Sequence, residues 1–340
     1  MPTREELTML QHLPLEVKVA KTQQRIREWV NFYGKDGVYI SFSGGKDSTV
    51  LLHLVRGLYG NDITAVFVDT GLEYPEIKQF VKTFENVEIL RPKMGFSDVI
   101  SKYGYPLIGK EIAETIYQFR IGYKSRIVKF DVNGEYVKKY GAKYNYSKWI
   151  PLRDSNIPIS HMCCVVMKKS PFKLYEKLTN KTPILGTMAD ESILRQTSWI
   201  KNGCNAFNSK RPISQPLSFW TEQDVLQYIK ENNLPICSVY GDIVSVDTDK
   251  NQYESSLVGS KLKTTGCQRT GCILCAFGAH CRGYTRFLDL KNTHPKQYAY
   301  CMNGGEFVDG IWKPNKEGLG MKYVFDQVNE IYGKDFIRYE

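Results

Sequence analysis

Gly37-Val38-Tyr39-Ile40-Ser41-Phe42-Ser43-Gly44-Gly45-Lys46-Asp47-Ser48-Thr49-Val50-Leu51-Leu52 is the stretch on which the fold turns. Its first six residues form a short β-rich run, and Asp47 to Leu58 has the composition of a largely buried helix. Two glycines between strand and helix let the backbone turn tightly and approach a ligand with no Cβ in the way. The first amides of the helix lack partners, and the helix dipole adds partial positive charge there. Ser43 and Ser48 supply hydroxyls and Lys46 supplies charge, so Ser43, Gly44, Gly45, Lys46, Asp47 and Ser48 are candidate phosphate-binding residues. A merely structural glycine turn is the alternative, and the serines and the lysine speak against it. The loop is not a Walker A motif, which needs four residues before its Gly-Lys pair and a hydroxyl directly after the lysine. Here Asp47 follows Lys46, and a carboxylate beside a phosphate suits a mediating magnesium ion.

Outward from this loop, strands and helices alternate. Leu15 to Phe32 has helical apolar spacing, with Val17, Val19, Ile26, Trp29 and Val30 on one broad face. Ile63 to Val68 reads as a second strand ending at Asp69-Thr70-Gly71, and Pro75 sits at a first helical position. Val87 to Leu90, Pro183 to Thr187 and Pro212 to Leu217 complete five strands. Glu191 and Arg195 fall on a helix between the last two, and Thr221 is placed to cap the helix to Lys230. This alternation predicts an α/β fold with a parallel sheet covered on both faces. The expected division is a nucleotide-binding domain over 1–235 and a cysteine-cluster subdomain with C-terminal helices over 236–340.

The net charge of +10 suits a polyanionic partner, although a solvated lysine-rich surface gives the same figure. Basic residues interleave with tyrosines in an insert from Gly122 to Trp149 (Lys124, Arg126, Lys129, Lys138, Lys139, Lys143, Lys148 with Tyr123, Tyr136, Tyr140, Tyr144, Tyr146). That pattern could combine phosphate contacts with base stacking. Asn133-Gly134 between apolar residues predicts a β-hairpin there. No apolar run reaches membrane-span length, and Met1 to Met9 lacks the apolar core of a secretion signal, so a cytoplasmic location with no membrane partner is expected. Oligomeric state is not readable.

Nine cysteines are unevenly placed. Cys267, Cys272, Cys275 and Cys281 fall in one short stretch, and a Cys-x2-Cys turn can aim two sulfurs at one metal. Four such thiolates could hold zinc or an iron–sulfur cluster, which spacing does not separate. Cysteines as small core residues are the bland alternative.

Ser-Gly-Gly-Lys-Asp-Ser after a strand resembles the PP-loop of the adenine-nucleotide alpha hydrolases. Further segments narrow the resemblance to the phosphoadenosine phosphosulfate reductase family. They are Val66 to Gly71 with Tyr74-Pro75-Glu76; Cys163-Cys164 with Met167 to Pro171; Gly186-Thr187 with Glu191, Ser192 and Arg195; and Pro216-Leu217 with Trp220-Thr221 and Asp224-Val225. The resemblance implies a five-stranded parallel sheet, adenine and ribose near Asp69, Thr70 and Gly71, a role for Glu191 at the nucleotide, and Arg195 directed at phosphate or sulfate. An ordinary i,i+4 ion pair is the other reading of Glu191 and Arg195. PP-loop members cut ATP between the α and β phosphates, so ATP with Mg2+ is the implied cofactor and Lys46, Asp47 and Arg195 the implied catalytic residues.

The family offers two thiolate sets for a [4Fe–4S] cluster. Assimilatory adenylyl-sulfate reductases imply Cys163, Cys164, Cys272 and Cys275. The DNA-phosphorothioation and phage-type members imply Cys267, Cys272, Cys275 and Cys281, and Arg269 to Gly278 looks most like these. Family reductases also carry a nucleophilic cysteine in a Glu-Cys-Gly-Leu-His type tail. Gly333 to Glu340 has none, and Cys301 lies in the unmatched Tyr300-Cys301-Met302-Asn303. The leading expectation is therefore an ATP-dependent adenylylating enzyme of sulfur transfer, with nucleic acid as a candidate acceptor and a sulfur-donor protein as a candidate partner. A sulfonucleotide reductase is the runner-up, and a nucleotide-binding scaffold or sensor is the third reading.

Overall fold

The computed structural model describes residues 2–123, 129–130, 134–141, 146–246 and 261–340. Helices α1 (Arg4–Gln11) and α2 (Leu15–Tyr33) lead into strand β1 (Val38–Ser41), the glycine loop and helix α3 (Lys46–Tyr59). Next come β2 (Ala65–Val68), α4 (Pro75–Val81), β3 (Val87–Leu90), α5 (Phe96–Tyr103), β4 (Leu107–Ile108) and α6 (Lys110–Arg120). Short helices α7 (Glu135–Tyr140) and α8 (Ile150–Asp154) precede a π-helical turn over Cys164–Lys169, which runs into α9 (Ser170–Thr179). Strand β5 (Thr182–Leu185), α10 (Ile193–Asn202), β6 (Asn205–Ala206), β7 (Ile213–Ser214) and α11 (Glu222–Glu231) come after it. The remainder holds β8 (Ile243–Val246), β9 (Lys261–Thr264), β10 (Ala276–Phe277), α12 (Arg286–Thr293) and α13 (Pro295–Met302). It ends with β11 (Glu306–Val308), β12 (Ile311–Lys313) and α14 (Met321–Tyr332).

By its contacts the chain forms two interleaved units. The first comprises Met1–Asp69, Glu73–Leu90 and Phe172–Thr270. Its sheet runs β3-β2-β1-β5-β7-β6, parallel except for β6, which lies antiparallel on β7 at the edge. The five expected strands are all present, and the sixth, two residues long, carries too little pattern to be read in advance. Strand β2 is buried throughout, as a parallel strand covered on both faces must be. Strand β1 is central, with Ile40 opposite Ala65 on one side and Ile184 on the other. Strand order reverses beside it, and the glycine loop leaves its carboxyl end, where open α/β sheets bind ligands.

Helix α2 buries Ile26, Trp29 and Val30 of its expected apolar face but not Val17. Leu15, Lys18, Thr22, Ile26, Trp29 and Val30 are buried, while Val17 is exposed. Lys18 sits in that row because Asp224 meets it at 2.7 Å, and its ammonium also donates to the Gln11 carbonyl at 2.7 Å. Asp224 itself belongs to a capping box, accepting from the Thr221 N–H at 2.6 Å at the start of α11. Removing one partner of a buried pair strands the other charge, so Lys18→Ala is expected to lose about 3–5 kcal/mol of unfolding free energy. Urea denaturation of the variant against the wild-type chain measures this. A loss no larger than that of an exposed lysine would contradict the pairing.

The second unit comprises Thr70–Leu72, Arg91–Pro171 and Gly271–Glu340. This corrects the expected cut at residue 235. Residues 91–171 and 271–340 belong together because β4 and β10 pair in parallel, Leu107 with Ala276 and Ile108 with Phe277. Residues up to Thr270 belong to the first unit instead, where Gln223 exchanges two hydrogen bonds with the backbone of Leu262.

The basic insert is also corrected where it is described. Glu135–Tyr140 is a helix rather than a hairpin arm, with acid in its first turn and Lys138 and Lys139 in its last, as a helix dipole favours. Tyr146 and Trp149 are buried and unavailable for base stacking. The Tyr146 hydroxyl donates to Glu111 at 2.7 Å, Lys129 pairs with the same carboxylate at 3.2 Å, and Trp149 packs edge-on against His280 and Tyr332. Lys124, Arg126, Lys143 and Tyr144, Asn133 of the hairpin turn, and the side chains of Tyr136 and Tyr140 lie outside the described residues.

Candidate functional site

In the first unit, β1 ends at Ser41 and α3 begins at Lys46, with Gly45 as its N-cap. Gly44 has φ +70°, and a Cβ on it would lie 2.8 Å from Val81 Cγ2 and 2.9 Å from Ile77 Cγ2, both of α4. Glycine is therefore required there twice, by conformation and by space. Gly186, just past β5, is also closely approached, since its Cβ would lie 3.1 Å from the Asp47 carbonyl oxygen and the neighbouring backbone would have to give.

The serines brace the loop. The Ser43 N–H donates to Ser48 Oγ at 3.1 Å, Ser48 Oγ donates to the Gly45 carbonyl at 2.9 Å, and the Gly45 N–H donates to Ser43 Oγ at 3.3 Å. Lys46 is only 4% exposed. Its ammonium lies 3.1 Å from Glu222 Oε1, 3.6 Å from Asp47 Oδ1 and 3.2 Å from the Gln268 carbonyl oxygen to which it donates. Burial raises the Asp47 carboxyl above its ordinary value against the opposing pull of Lys46. Its Oδ1 is buried and accepts no hydrogen bond among the described residues.

Glu191 ends a short 3-10 turn, and Arg195 lies in the first turn of α10, which Ser192 caps. The two side chains are paired, as the plain ion-pair reading anticipates. Burial and the like charge of Arg269 pull the Arg195 guanidinium below its ordinary value, while Asp47 acts the other way. Arg195, Arg269, Lys46 and Asp47 thus share one electrostatic environment in this unit. Asp69 pairs with Lys78 at 2.7 Å. Thr70 and Gly71 fall in the second unit, where Thr70 Oγ1 accepts the Leu72 N–H at 3.2 Å and Gly71 has φ +79° with open space around it. Glu222, Tyr240 and Gln268 were not legible as partners of Lys46, because no local pattern marks residues brought from so far along the chain.

In the second unit, four thiols line one small cavity: Cys163, Cys164, Cys272 and Cys275, with Leu72, Phe96, Met167 and Lys168. Cys163 and Cys164 stand at the start of the π-helical turn, a backbone irregularity frequent at functional sites. The Cys-x2-Cys segment is a tight turn, with the Cys275 N–H donating to the Cys272 carbonyl at 3.1 Å. It is pinned by Ile273 N–H to the Leu72 carbonyl at 2.8 Å, Arg286 Nη1 to the Cys272 carbonyl at 2.6 Å and the Tyr284 hydroxyl to the Cys275 carbonyl at 2.7 Å. The hydrogen bond from Cys163 pulls the Cys164 thiol down, with Lys110, Lys168 and Lys169 acting in the same direction; the same bond and burial push Cys163 up. Burial pushes Cys275 up to about 11.

Cys267 and Cys281 do not line this cavity. Cys267 belongs to the first unit, and its thiol donates to the Arg269 carbonyl at 2.9 Å. Cys281 is exposed beside His280. The stretch from Cys267 to Cys281 is short in sequence, yet the structure gathers its middle pair with the distant tandem pair and leaves out its ends.

Among the described residues, no helix is long and apolar enough to cross a membrane. An uncharacterised protein of Methanocaldococcus jannaschii is 29% identical over 209 residues, 61% of this chain, which spans only 34% of that relative's length. An adenosine 5'-phosphosulfate reductase of Lysinibacillus sphaericus is 27% identical over 207 residues, covering 60% of this chain and 67% of its own. A solved phosphoadenylyl-sulfate reductase of Candida auris, in complex with phosphate, aligns over 70% of this chain and 91% of its own at a TM-score of 0.37 and 15% identity. The family profile described as the phosphoadenosine phosphosulfate reductase domain matches residues 37–106 and 109–277, which include the glycine loop, the tandem cysteines and the Cys-x2-Cys turn. With well over half of its residues matched, the chain belongs to the phosphoadenosine phosphosulfate reductase domain family.

Proposed function

We propose that the chain cleaves ATP between the α and β phosphates, adenylylating an acceptor oxygen in a sulfur-transfer reaction for which nucleic acid is the first acceptor to test. The observation that carries this reading is Lys46, a buried ammonium at the amino end of α3, directly after two glycines at the carboxyl end of β1. An acceptor oxygen attacks the α phosphorus, the α–β bridging P–O bond breaks, and its electron pair leaves with pyrophosphate. Lys46 and the first amides of α3 stabilise that departing charge. Arg195 and Arg269 add positive potential beside Asp47. Asp47, with a buried oxygen accepting no hydrogen bond among the described residues, has the donor chemistry to hold Mg2+, which neutralises phosphate charge when bound.

Cys163, Cys164, Cys272 and Cys275 line one cavity and are the soft donors an iron–sulfur cluster takes, which supports this ligand set over the one built on Cys267 and Cys281. An iron–sulfur cluster bound there supplies an electron store and inorganic sulfide. The set is the one that the adenylyl-sulfate reductases imply, and it leaves Cys267 free of ligand duty next to Gln268, whose carbonyl accepts from Lys46. That observation favours reduction of a sulfonucleotide as a second reading. The Cys267 thiolate would attack the sulfur, and the S–O bond to the nucleotide would break to leave a thiosulfonate and a nucleoside phosphate.

One pair of assays separates the readings. Purified anaerobic protein is expected to release pyrophosphate from Mg-ATP, and to do so faster with single-stranded nucleic acid present. Sulfite release from adenylyl sulfate or its 3'-phosphate with a dithiol present to cleave the thiosulfonate and reduce the cysteine, abolished in Cys267→Ser and accompanied by no pyrophosphate from ATP, would replace the first reading with the second.

A further inference from the structure

The donors that a phosphate would use at the start of α3 are engaged by the protein's own oxygens. The Lys46 N–H donates to the Tyr240 hydroxyl at 3.1 Å, and that hydroxyl lies 2.7 Å from Thr270 Oγ1. The Lys46 ammonium donates to the Gln268 carbonyl at 3.2 Å. A Cβ on Gly45 would lie 3.1 Å from Thr270 Oγ1 and 3.2 Å from the Tyr240 hydroxyl. The space that glycine keeps open over the loop is therefore filled by two hydroxyls from far along the chain.

These groups are held in place. Tyr240 is buried, and its carbonyl accepts the Gly266 N–H at 2.8 Å. The Cys267 N–H donates to the Val239 carbonyl at 2.9 Å, and the Thr265 N–H to the Asp242 carbonyl at 2.9 Å. A Cβ on Gly266 would lie 2.5 Å from the Val239 carbonyl oxygen, so this close approach depends on glycine. The Tyr240 ring also stands 5.7 Å from the Lys46 ammonium. A neutral hydroxyl is a weaker acceptor than an anionic phosphate oxygen, so a phosphate can displace it, and the two cannot occupy one place.

We propose that Tyr240 and Thr270 form a gate whose hydroxyls stand in for phosphate oxygens. The Gln268–Thr270 strap must then lift from Lys46 before a nucleotide can enter. The proposal rests on the reading of the loop as a phosphate site. It also bears on the ligand class: a di- or triphosphate brings more charge and more oxygens than a monophosphate with which to take both the Lys46 N–H and its ammonium from their internal partners. The gate thus selects for polyphosphate over monophosphate.

Calorimetric titration of the full chain with inorganic pyrophosphate, ATP and AMP tests the gate. Tyr240→Phe removes the competing oxygen and is expected to bind pyrophosphate about fivefold tighter than wild type, the worth of one net hydrogen bond. Thr270→Val removes the second hydroxyl and is expected to shift affinity in the same direction, which keeps the test open should Tyr240→Phe unfold. Equal or weaker binding by variants that melt like wild type would overturn the gate, because the hydroxyls would then be bystanders or phosphate ligands. Pyrophosphate binding by wild type that Lys46→Ala abolishes, with no gain in either gate variant, overturns the gate but leaves the phosphate site standing. Binding by none of the chains overturns both.

Discussion

Lys46→Ala is expected to lower pyrophosphate release from ATP by about 100- to 1,000-fold, the usual cost of removing one preorganised group that stabilises developing negative charge. The effect should fall on kcat at least as strongly as on KM, because charge on the leaving pyrophosphate grows only as the α–β bond breaks. The variant should still fold. Glu222, which loses its partner, has a side chain 41% exposed and can hydrate, Asp47 loses its counter-charge and can take up a proton, and the Gln268 carbonyl loses one donor. Thermal unfolding near the wild-type temperature together with lost turnover is the expected pair of results. Full activity in Lys46→Ala would remove the loop from the mechanism.

The second large effect concerns the thiols. Cys164→Ser, Cys272→Ser and Cys275→Ser are each expected to take anaerobically reconstituted protein from about four irons per chain to near none, with loss of visible absorbance. Cys267→Ser and Cys281→Ser are expected to keep both, since neither thiol lines the shared cavity. The contrast is sharp because the two candidate sets share Cys272 and Cys275 and differ only in the other pair. Iron retained in Cys164→Ser but lost in Cys267→Ser would restore the ligand set built on the short stretch. One equivalent of zinc, with no iron or sulfide, would leave the thiolate site but exclude the cluster.

The legible part of the sequence was local. Strand β1, the glycine loop and α3 could be read directly, because glycines, serines and an apolar helix succeed one another within a few residues. The Thr221 cap with Asp224 in its first turn is of the same kind. Relations between distant residues were not legible. Lys18 looks like a surface lysine until α11 brings Asp224 to it, and that pairing turns the buried face of α2 away from Val17. Nothing near Tyr240 marks it as the partner of the Lys46 amide, since the strap that positions it is held by backbone hydrogen bonds and a close approach at Gly266 that no local pattern announces. The Asn-Gly pair at 133–134 is a hairpin signal, yet directly after Gly134 the chain forms a helix ending in lysines. The cysteines show the same limit: their clustering suggests a thiolate site, but which of them share one cavity depends on the pairing of β4 with β10 and on the π-helical turn.

The central claim is attack at the α phosphorus of ATP in the loop from Ser43 to Ser48. Phosphorus NMR of Mg-ATP incubated with the anaerobic protein, with and without single-stranded nucleic acid, reports the bond that breaks. The expected spectrum gains pyrophosphate, with AMP or an adenylylated acceptor in equal amount, and Lys46→Ala leaves ATP intact. Appearance of ADP and orthophosphate, or unchanged ATP under conditions where adenylyl sulfate yields sulfite, would contradict it.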